Sequence, residues 1–186
     1  EFYCMQKKGN LILPDEETYL LMYESAIQRL KHAGYIHYEI SNFSLPDYES
    51  KHNLRYWQGL DYIGFGAGAH SYIKNNGWGK RFWNEEDVFL YMEKVERLGN
   101  AVSGMETLTK KDAIREYMFL GLRQVKGIDK RRFCERFNLP PTDKYFEVIP
   151  DLEKNGLIKT DGDIIRLTQK GLVLSDAVFA EFFVKL

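Results

Sequence analysis

The stretch Tyr35-Ile36-His37-Tyr38-Glu39-Ile40-Ser41-Asn42-Phe43 alternates in polarity, with Ile36, Tyr38 and Ile40 on one face and His37, Glu39 and Ser41 on the other. A period of two is the signature of a strand. Just upstream, Pro14-Asp15-Glu16-Glu17 places acidic groups where a helix N-terminus favours them. Tyr19, Tyr23, Ala26, Ile27, Leu30 and Ala33 then recur at helical spacing, predicting one buried stripe, and Gly34 is a suitable stop. A helix leading into a strand is half of a repeating β/α unit. The expected fold class is therefore α/β at this end of the chain.

Further along, residues 44–60 read as a loop, and Asp61–His70 as a second strand with glycines at alternate positions. Glycines so placed strip one face of side chains, which lets a backbone or a flat ligand approach. Asn75-Asn76-Gly77 signals a hairpin turn between Ser71-Tyr72-Ile73 and Trp78–Trp83. Asn84 is expected to cap a helix with Val88, Tyr91, Met92, Val95 and Leu98 on its apolar side. Gly99 to Gly104 is short, polar and glycine-flanked, and divides the chain into parts 1–104 and 105–186.

The second part has a different pattern, α+β. Thr109 with Asp112 forms a capping-box signal, and Asp129 caps a short helix carrying Phe133 and Phe137. Thr142 opens a third helix towards Lys154 that Pro150 should kink or shorten. Residues 157–160 and 164–167 read as strands around Asp161-Gly162-Asp163, and Thr168 starts a closing helix. Three helices, a hairpin and a closing helix make a winged-helix-like arrangement.

The chain has 186 residues and a formal net charge of −1, so no global field draws it to nucleic acid or an anionic membrane. No apolar run approaches the ~20 residues that span a bilayer. The two cysteines, Cys4 and Cys134, are too far apart for a CxxC pair. Reduced thiols in a cytoplasmic protein are the expectation. The first residues carry neither a basic leader nor an initiator Met, and read like a cut through a longer protein.

Three motifs follow one another between Tyr38 and Ser71. They are Tyr38-Glu39-Ile40-Ser41-Asn42-Phe43, then Ser50-Lys51-His52-Asn53-Leu54-Arg55-Tyr56-Trp57, then Asp61-Tyr62-Ile63-Gly64-Phe65-Gly66-Ala67-Gly68-Ala69-His70-Ser71. Arg81-Phe82-Trp83-Asn84 supplies an RxxN element, and Gly121-Leu122-Arg123 and residues 156–168 continue the series. In order and spacing these resemble the C-terminal part of oxygen-independent coproporphyrinogen III oxidase-like radical-SAM proteins. The HNxxYW element is similar to that of their heme-chaperone (HemW) branch.

The resemblance implies the end of a radical-SAM partial (β/α) barrel with an extension, followed by a winged-helix-like HemN C-terminal domain. It implies heme binding and delivery, with oxidative decarboxylation of coproporphyrinogen III as the alternative and protein docking by the C-terminal domain as a third reading. Members of this family hold a [4Fe–4S] cluster on a CxxxCxxC triad and use S-adenosylmethionine. No such triad occurs here, so this stretch alone is expected to lack radical chemistry.

By resemblance His52 is the heme-binding residue and the candidate iron ligand, with Tyr56 and Trp57 against the macrocycle. Without the resemblance, His52 caps a turn while Tyr56 and Trp57 are core. Glu39, Ser41 and Asn42 fall on the face implied to border the barrel's active site. The alternative for Glu39 is a carboxylate satisfied by backbone donors or a nearby Arg. Gly66 and Gly68 are implied to approach S-adenosylmethionine in the whole protein. Their GxGxG spacing lacks the phosphate-binding fingerprint, and His70 is expected in a core or hydrogen-bonded setting.

Expected partners are heme or a porphyrin, a protein docking on the C-terminal domain, and a second copy of the chain pairing exposed strand edges. Nucleic acid is not expected. The helix that would read DNA carries Asp143, Glu147, Asp151 and Glu153 against Lys144 and Lys154.

Overall fold

Asp15 shows how local sequence starts the fold. In the computed structural model, which describes residues 2–74 and 77–184, its carboxylate accepts the Thr18 amide at 2.8 Å. That bond satisfies one of the open donors at the start of helix α2 (Glu16–His32), which follows the short helix α1 (Phe2–Lys7). Gly34, at φ 83°, ends it. The expected stripe is only half covered: Tyr23, Ile27 and Leu30 are partly buried, whereas Tyr19 and Ala26 face outward.

The alternating stretch is a hairpin rather than one strand. Strands β1 (Ile36–Glu39) and β2 (Asn42–Ser44) pair antiparallel with Ile36 opposite Ser44 and His37 opposite Phe43. The chain reverses because Glu39 bends its carboxylate back into the turn, accepting from the Ser41 amide at 3.1 Å and from the Asn42 side-chain amide. Alternation reports sidedness but is blind to a reversal between two short strands.

The expected loop 44–60 contains helix α3 (Lys51–Trp57), started by Ser50, whose Oγ accepts the Asn53 amide at 3.2 Å. Conversely, most of the expected strand 61–70 is irregular, bridged only at Tyr62 to Tyr72. Positive φ at Gly66 (106°) and Gly68 (66°) explains why, since such angles leave the strand region. Strands β3 (His70–Ile73), β4 (Lys80–Asn84) and β5 (Val102–Thr107) form an antiparallel sheet in that order. Asn75 and Asn76 of the expected hairpin turn lie outside the described residues.

Between β4 and β5 runs helix α4 (Val88–Leu98), capped by Asp87 rather than Asn84, which stays in β4. Gly99 ends it in the left-handed conformation. The segment read as a linker is largely β5. Gly104 sits opposite Trp83, and a side chain there would collide with the indole ring.

From Leu108 onward the chain builds the core. Helix α5 (Lys110–Leu122) begins with the expected capping box of Thr109 and Asp112. Strand β6 (Ile128–Asp129) leads into helix α6 (Lys130–Phe137), capped by Asp129. The expected third helix is divided into a 3-10 turn (Lys144–Phe146) and helix α7 (Ile149–Lys154), with Pro150 tolerated at the start of α7. Strands β7 (Ile158–Asp161) and β8 (Ile164–Leu167) flank Gly162-Asp163, and β8 lies between β6 and β7. Thr168 caps helix α8 (Gln169–Val173), and the chain breaks stride at Leu174 before helix α9 (Ser175–Val184).

Burial is strongly uneven. Among described hydrophobic residues before Leu108 only Tyr72 and Ala101 are buried, and α4 exposes most of its expected apolar side. The core proper is centred on Phe133, whose ring meets those of Phe137 and Phe146 at 5.0 Å each, Tyr117 at 5.6 Å and Tyr145 at 6.1 Å. Ile114, Met118, Leu122, Ile165 and Val178 close around this cluster. Among the described residues no helix is long and apolar enough to cross a membrane.

Phe133 is fully buried, so Phe133→Ala leaves a cavity that its ring neighbours cannot refill. The expected loss is about 3–5 kcal/mol, read from urea unfolding followed by far-UV circular dichroism.

Candidate functional site

Helix α3 presents the histidine motif. Its start is fixed by the Ser50 cap, and its far end by Arg55, whose Nη1 donates to the Asp61 carbonyl at 2.7 Å. His52 is exposed, its ring edge-on to Tyr56 at 4.8 Å. Tyr56 in turn lies 4.3 Å from Tyr62, which stacks on Tyr72 at 6.1 Å. Neither ring nitrogen of His52 hydrogen-bonds another described residue. The imidazole is therefore offered outward on a row of aromatic rings, as an axial ligand for heme iron has to be.

Trp57 does not join that pair. The Arg123 guanidinium lies 4.5 Å from the centre of its ring, and the Trp57 carbonyl accepts from Gln124 Nε2 at 3.2 Å. The structure thus brings His52 and Tyr56 together and sends Trp57 to the junction of α3 with α5. Trp57 and Gln124 are 67 positions apart, so no spacing rule could have linked them.

The same junction holds Glu39, which is completely buried. Besides closing its turn, its carboxylate faces Arg123 Nη2 at 3.6 Å. The backbone joins in: the Ile40 amide donates to the Arg123 carbonyl, and the Val125 amide to the Tyr38 carbonyl, both at 3.1 Å. A buried carboxylate is stable only with such donors around it. Arg123 and Gln124 are the residues that sequence reasoning did not place here, although Gly121-Leu122-Arg123 stood out as a motif. Ser41 and Asn42 are exposed at the turn, with the Asn42 side-chain amide turned back onto the Glu39 carboxylate.

The glycine loop is clamped from β4. Asn84 Nδ2 donates to the Gly66 carbonyl at 2.9 Å, and the Gly68 amide to the Glu85 carbonyl at 2.8 Å. A Cβ at Gly66 would meet nothing within 4 Å, so this face of the loop is open, and Phe65 beside it is exposed. Arg81, the other end of the RxxN element, pairs with Glu106 at 3.3 Å and with Glu116. Burial pushes the Glu116 carboxyl above its ordinary range, and Arg81 works against that shift. His70 is exposed and stacked on Trp83 at 5.8 Å rather than in a core.

Cys4 and Cys134 are both free, and the described residues hold no group of three His, Cys, Asp or Glu side chains placed for a metal ion. The donor set of an iron–sulfur cluster does not fit this chain, whereas His52 fits heme iron.

Comparison with known proteins agrees with the order of the motifs. Residues 108–174 match the HemN C-terminal domain. The heme chaperone HemW of Bacillus subtilis (strain 168) is 38% identical over 181 residues, covering 97% of this chain and 47% of that protein. The chain belongs to the HemN-like family. The heme chaperone HemW of Lactococcus lactis subsp. lactis (strain IL1403) is 39% identical over 183 residues, covering 97% of this chain and 46% of that protein. The chain therefore spans just under half the length of these HemN-like relatives. Among solved structures, coproporphyrinogen III oxidase (HemN) from Escherichia coli, described as a radical SAM enzyme, superposes with a TM-score of 0.72 at 24% identity. That match covers 94% of this chain and 43% of the other, and it shows a shared fold.

Removing the Glu39 carboxylate leaves Arg123 facing a void and opens the turn. Glu39→Ala is expected to lower unfolding stability by about 1–3 kcal/mol, measured by chemical denaturation. Amide exchange at Ile40 and Val125 should accelerate in the variant, because both amides donate across the junction.

Proposed function

We propose that the protein binds heme as cargo and takes part in its delivery, with His52 as the iron ligand. The observation that carries this reading is the exposed His52 imidazole on α3, its nitrogens unengaged and its ring backed by Tyr56 and Tyr62. Both relatives at 38% and 39% identity are named heme chaperones, which supports the same reading.

In this reading α3 holds the ligand in a fixed place rather than on a mobile loop. The Ser50 cap and the Arg55 bond secure its two ends, and Tyr56 limits rotation of the imidazole. Trp57, first expected against the macrocycle, serves instead as a positioning residue. Gripped by Arg123 and Gln124, it ties the C-terminal end of α3 to α5. The outward apolar groups Tyr48 and Leu60, one on either side of α3 in sequence, suit a flat apolar cargo.

The wider organisation is proposed on the same basis. The segment up to β5 is read as the end of a radical-SAM partial barrel with its extension, and the rest as a winged-helix-like domain. The division is moved from Gly104 to the end of β5, because that strand runs through the glycine. Ser41, Asn42 and the open face at Gly66 and Gly68 would border the barrel's active site and S-adenosylmethionine in a whole protein carrying the cluster. A cytoplasmic setting goes with this reading.

Titrating the protein with heme and following the Soret band tests the proposal. His52→Ala, checked for intact secondary structure, is expected to weaken binding at least about tenfold, ~1.4 kcal/mol. Equal affinity of wild type and variant would remove His52 from the role. Robust formation of vinyl product from coproporphyrinogen, under anaerobic reducing conditions, would favour the decarboxylase reading over delivery.

A further inference from the structure

A cavity of about 740 Å³ opens where the end of α3 meets the C-terminal bundle. Trp57, Gly59 and Tyr72 form one wall, and Tyr117, Gln124 and Arg136 are among the residues of the other. A second cavity of about 510 Å³ shares Arg132 and Arg136 with the first and adds Lys74, Trp78 and Glu135. Neither His52 nor Tyr56 lines either space.

The charges along this seam do not balance locally. Of its carboxylates, Glu116 is held by Arg81, and Asp161 by Arg166 at 2.9 Å. Asp129 is occupied by the amides of Arg131 and Arg132, at 2.9 and 3.2 Å, with Arg132 Nε 3.7 Å away. Glu135 makes no ion pair among the described residues. On the basic side Lys74, Lys126 and Arg136 likewise lack a carboxylate within ion-pair distance. Three cations face two acids outside ion pairs, Glu135 and Asp61, whose carboxylate accepts the Lys74 amide at 2.7 Å, so the mouth keeps a positive excess that low-dielectric walls concentrate.

Arg136 is also held in place before any ligand arrives. Its guanidinium lies over the rings of Tyr117 at 5.2 Å and Phe137 at 5.3 Å, and its charge acts on the Tyr72 hydroxyl, which donates to the Trp78 carbonyl. Such stacking leaves the planar fork available for a carboxylate or phosphate. Arg136 is close enough to Lys74 to hold that ammonium below its ordinary range, with burial as the second cause. An independent feature lies among the residues that line the larger cavity. Trp57 Nε1 and Arg166 Nε are buried donors without an acceptor, and Gln124, 4% exposed, has an unpartnered Oε1. Buried polar atoms in that condition are rare unless something else completes them.

We propose that this seam is a binding site for a small multivalent anion whose charged groups are carboxylates or phosphates, gripped by the unpaired Arg136 and Lys74, with Arg132 lining both cavities beside them. The volume suits a small molecule. An anion there would cancel the Arg136–Lys74 repulsion and tie the end of β3 to α6. The inference does not depend on heme binding at His52, which stands outside both cavities.

Isothermal titration calorimetry of the protein at low salt, with citrate and pyrophosphate as probes, tests it. At least one probe is expected to bind, and Arg136→Gln should weaken it by about tenfold or more. Lys74→Gln, at an exposed position that leaves packing intact, should weaken it severalfold. Arg97→Gln, in an exposed pair on α4, should change nothing. Citrate alone binding assigns the site to polycarboxylates, and pyrophosphate alone to phosphate esters. If neither probe titrates, or if binding survives both Arg136→Gln and Lys74→Gln, the site does not exist.

Discussion

The placement of the β1–β2 hairpin depends on how the buried carboxylate of Glu39 meets Arg123. The segment from α1 to β5 has almost no core of its own, since Tyr72 and Ala101 alone of its described hydrophobic residues are buried. The β1–β2 hairpin is joined to the bundle by one ion pair and two backbone hydrogen bonds at the end of α5. Such a pair contributes little by itself, because desolvating both partners offsets the attraction. Its value lies in direction. A carboxylate that already accepts from Ser41 and Asn42 leaves room for Arg123 from one side only, which fixes the hairpin's orientation.

Arg123 carries that constraint to the other functional element. Its guanidinium bridges Glu39 and the Trp57 indole, so the hairpin and α3 are referenced to the same side chain. The aromatic row from His52 to Tyr72 runs from α3 into β3, and its end, Tyr72, lines the basic seam together with Trp57. One arginine therefore ties both the hairpin and the histidine-bearing helix to α5.

Sequence made the caps and the bundle legible. Asp15, Thr109, Asp129 and Thr168 each act where the pattern put them, because capping is a local bond within three residues. The β7–β8 hairpin and the break at Pro150 were likewise local matters. Tertiary events stayed hidden. The hairpin in 36–44 looks like one strand until Glu39 is seen folded into the turn, and α3 was masked by a loop-like composition despite its Ser50 cap. The glycine run imitates a strand in period but not in φ. Of the candidate site, His52 and Tyr56 were named together through the family resemblance, and helix α3 supplies the i, i+4 contact between them. The partners of Trp57 and Glu39 come from α5, far along the chain, and no periodicity reaches that distance.

The Gly104–Trp83 contact limits which substitutions this sheet can accept. Trp83 lies flat over β5 where the neighbouring residue has no side chain, so the two positions form a single lock in which neither can drift alone. Any larger residue at 104 demands a smaller one at 83, and the exchange would also disturb the stacking of His70 on that indole. The sheet β3-β4-β5 is thus a region where substitutions have to arrive in pairs. A variant chain that keeps the glycine while losing the tryptophan would expose strand backbone on the side facing His70.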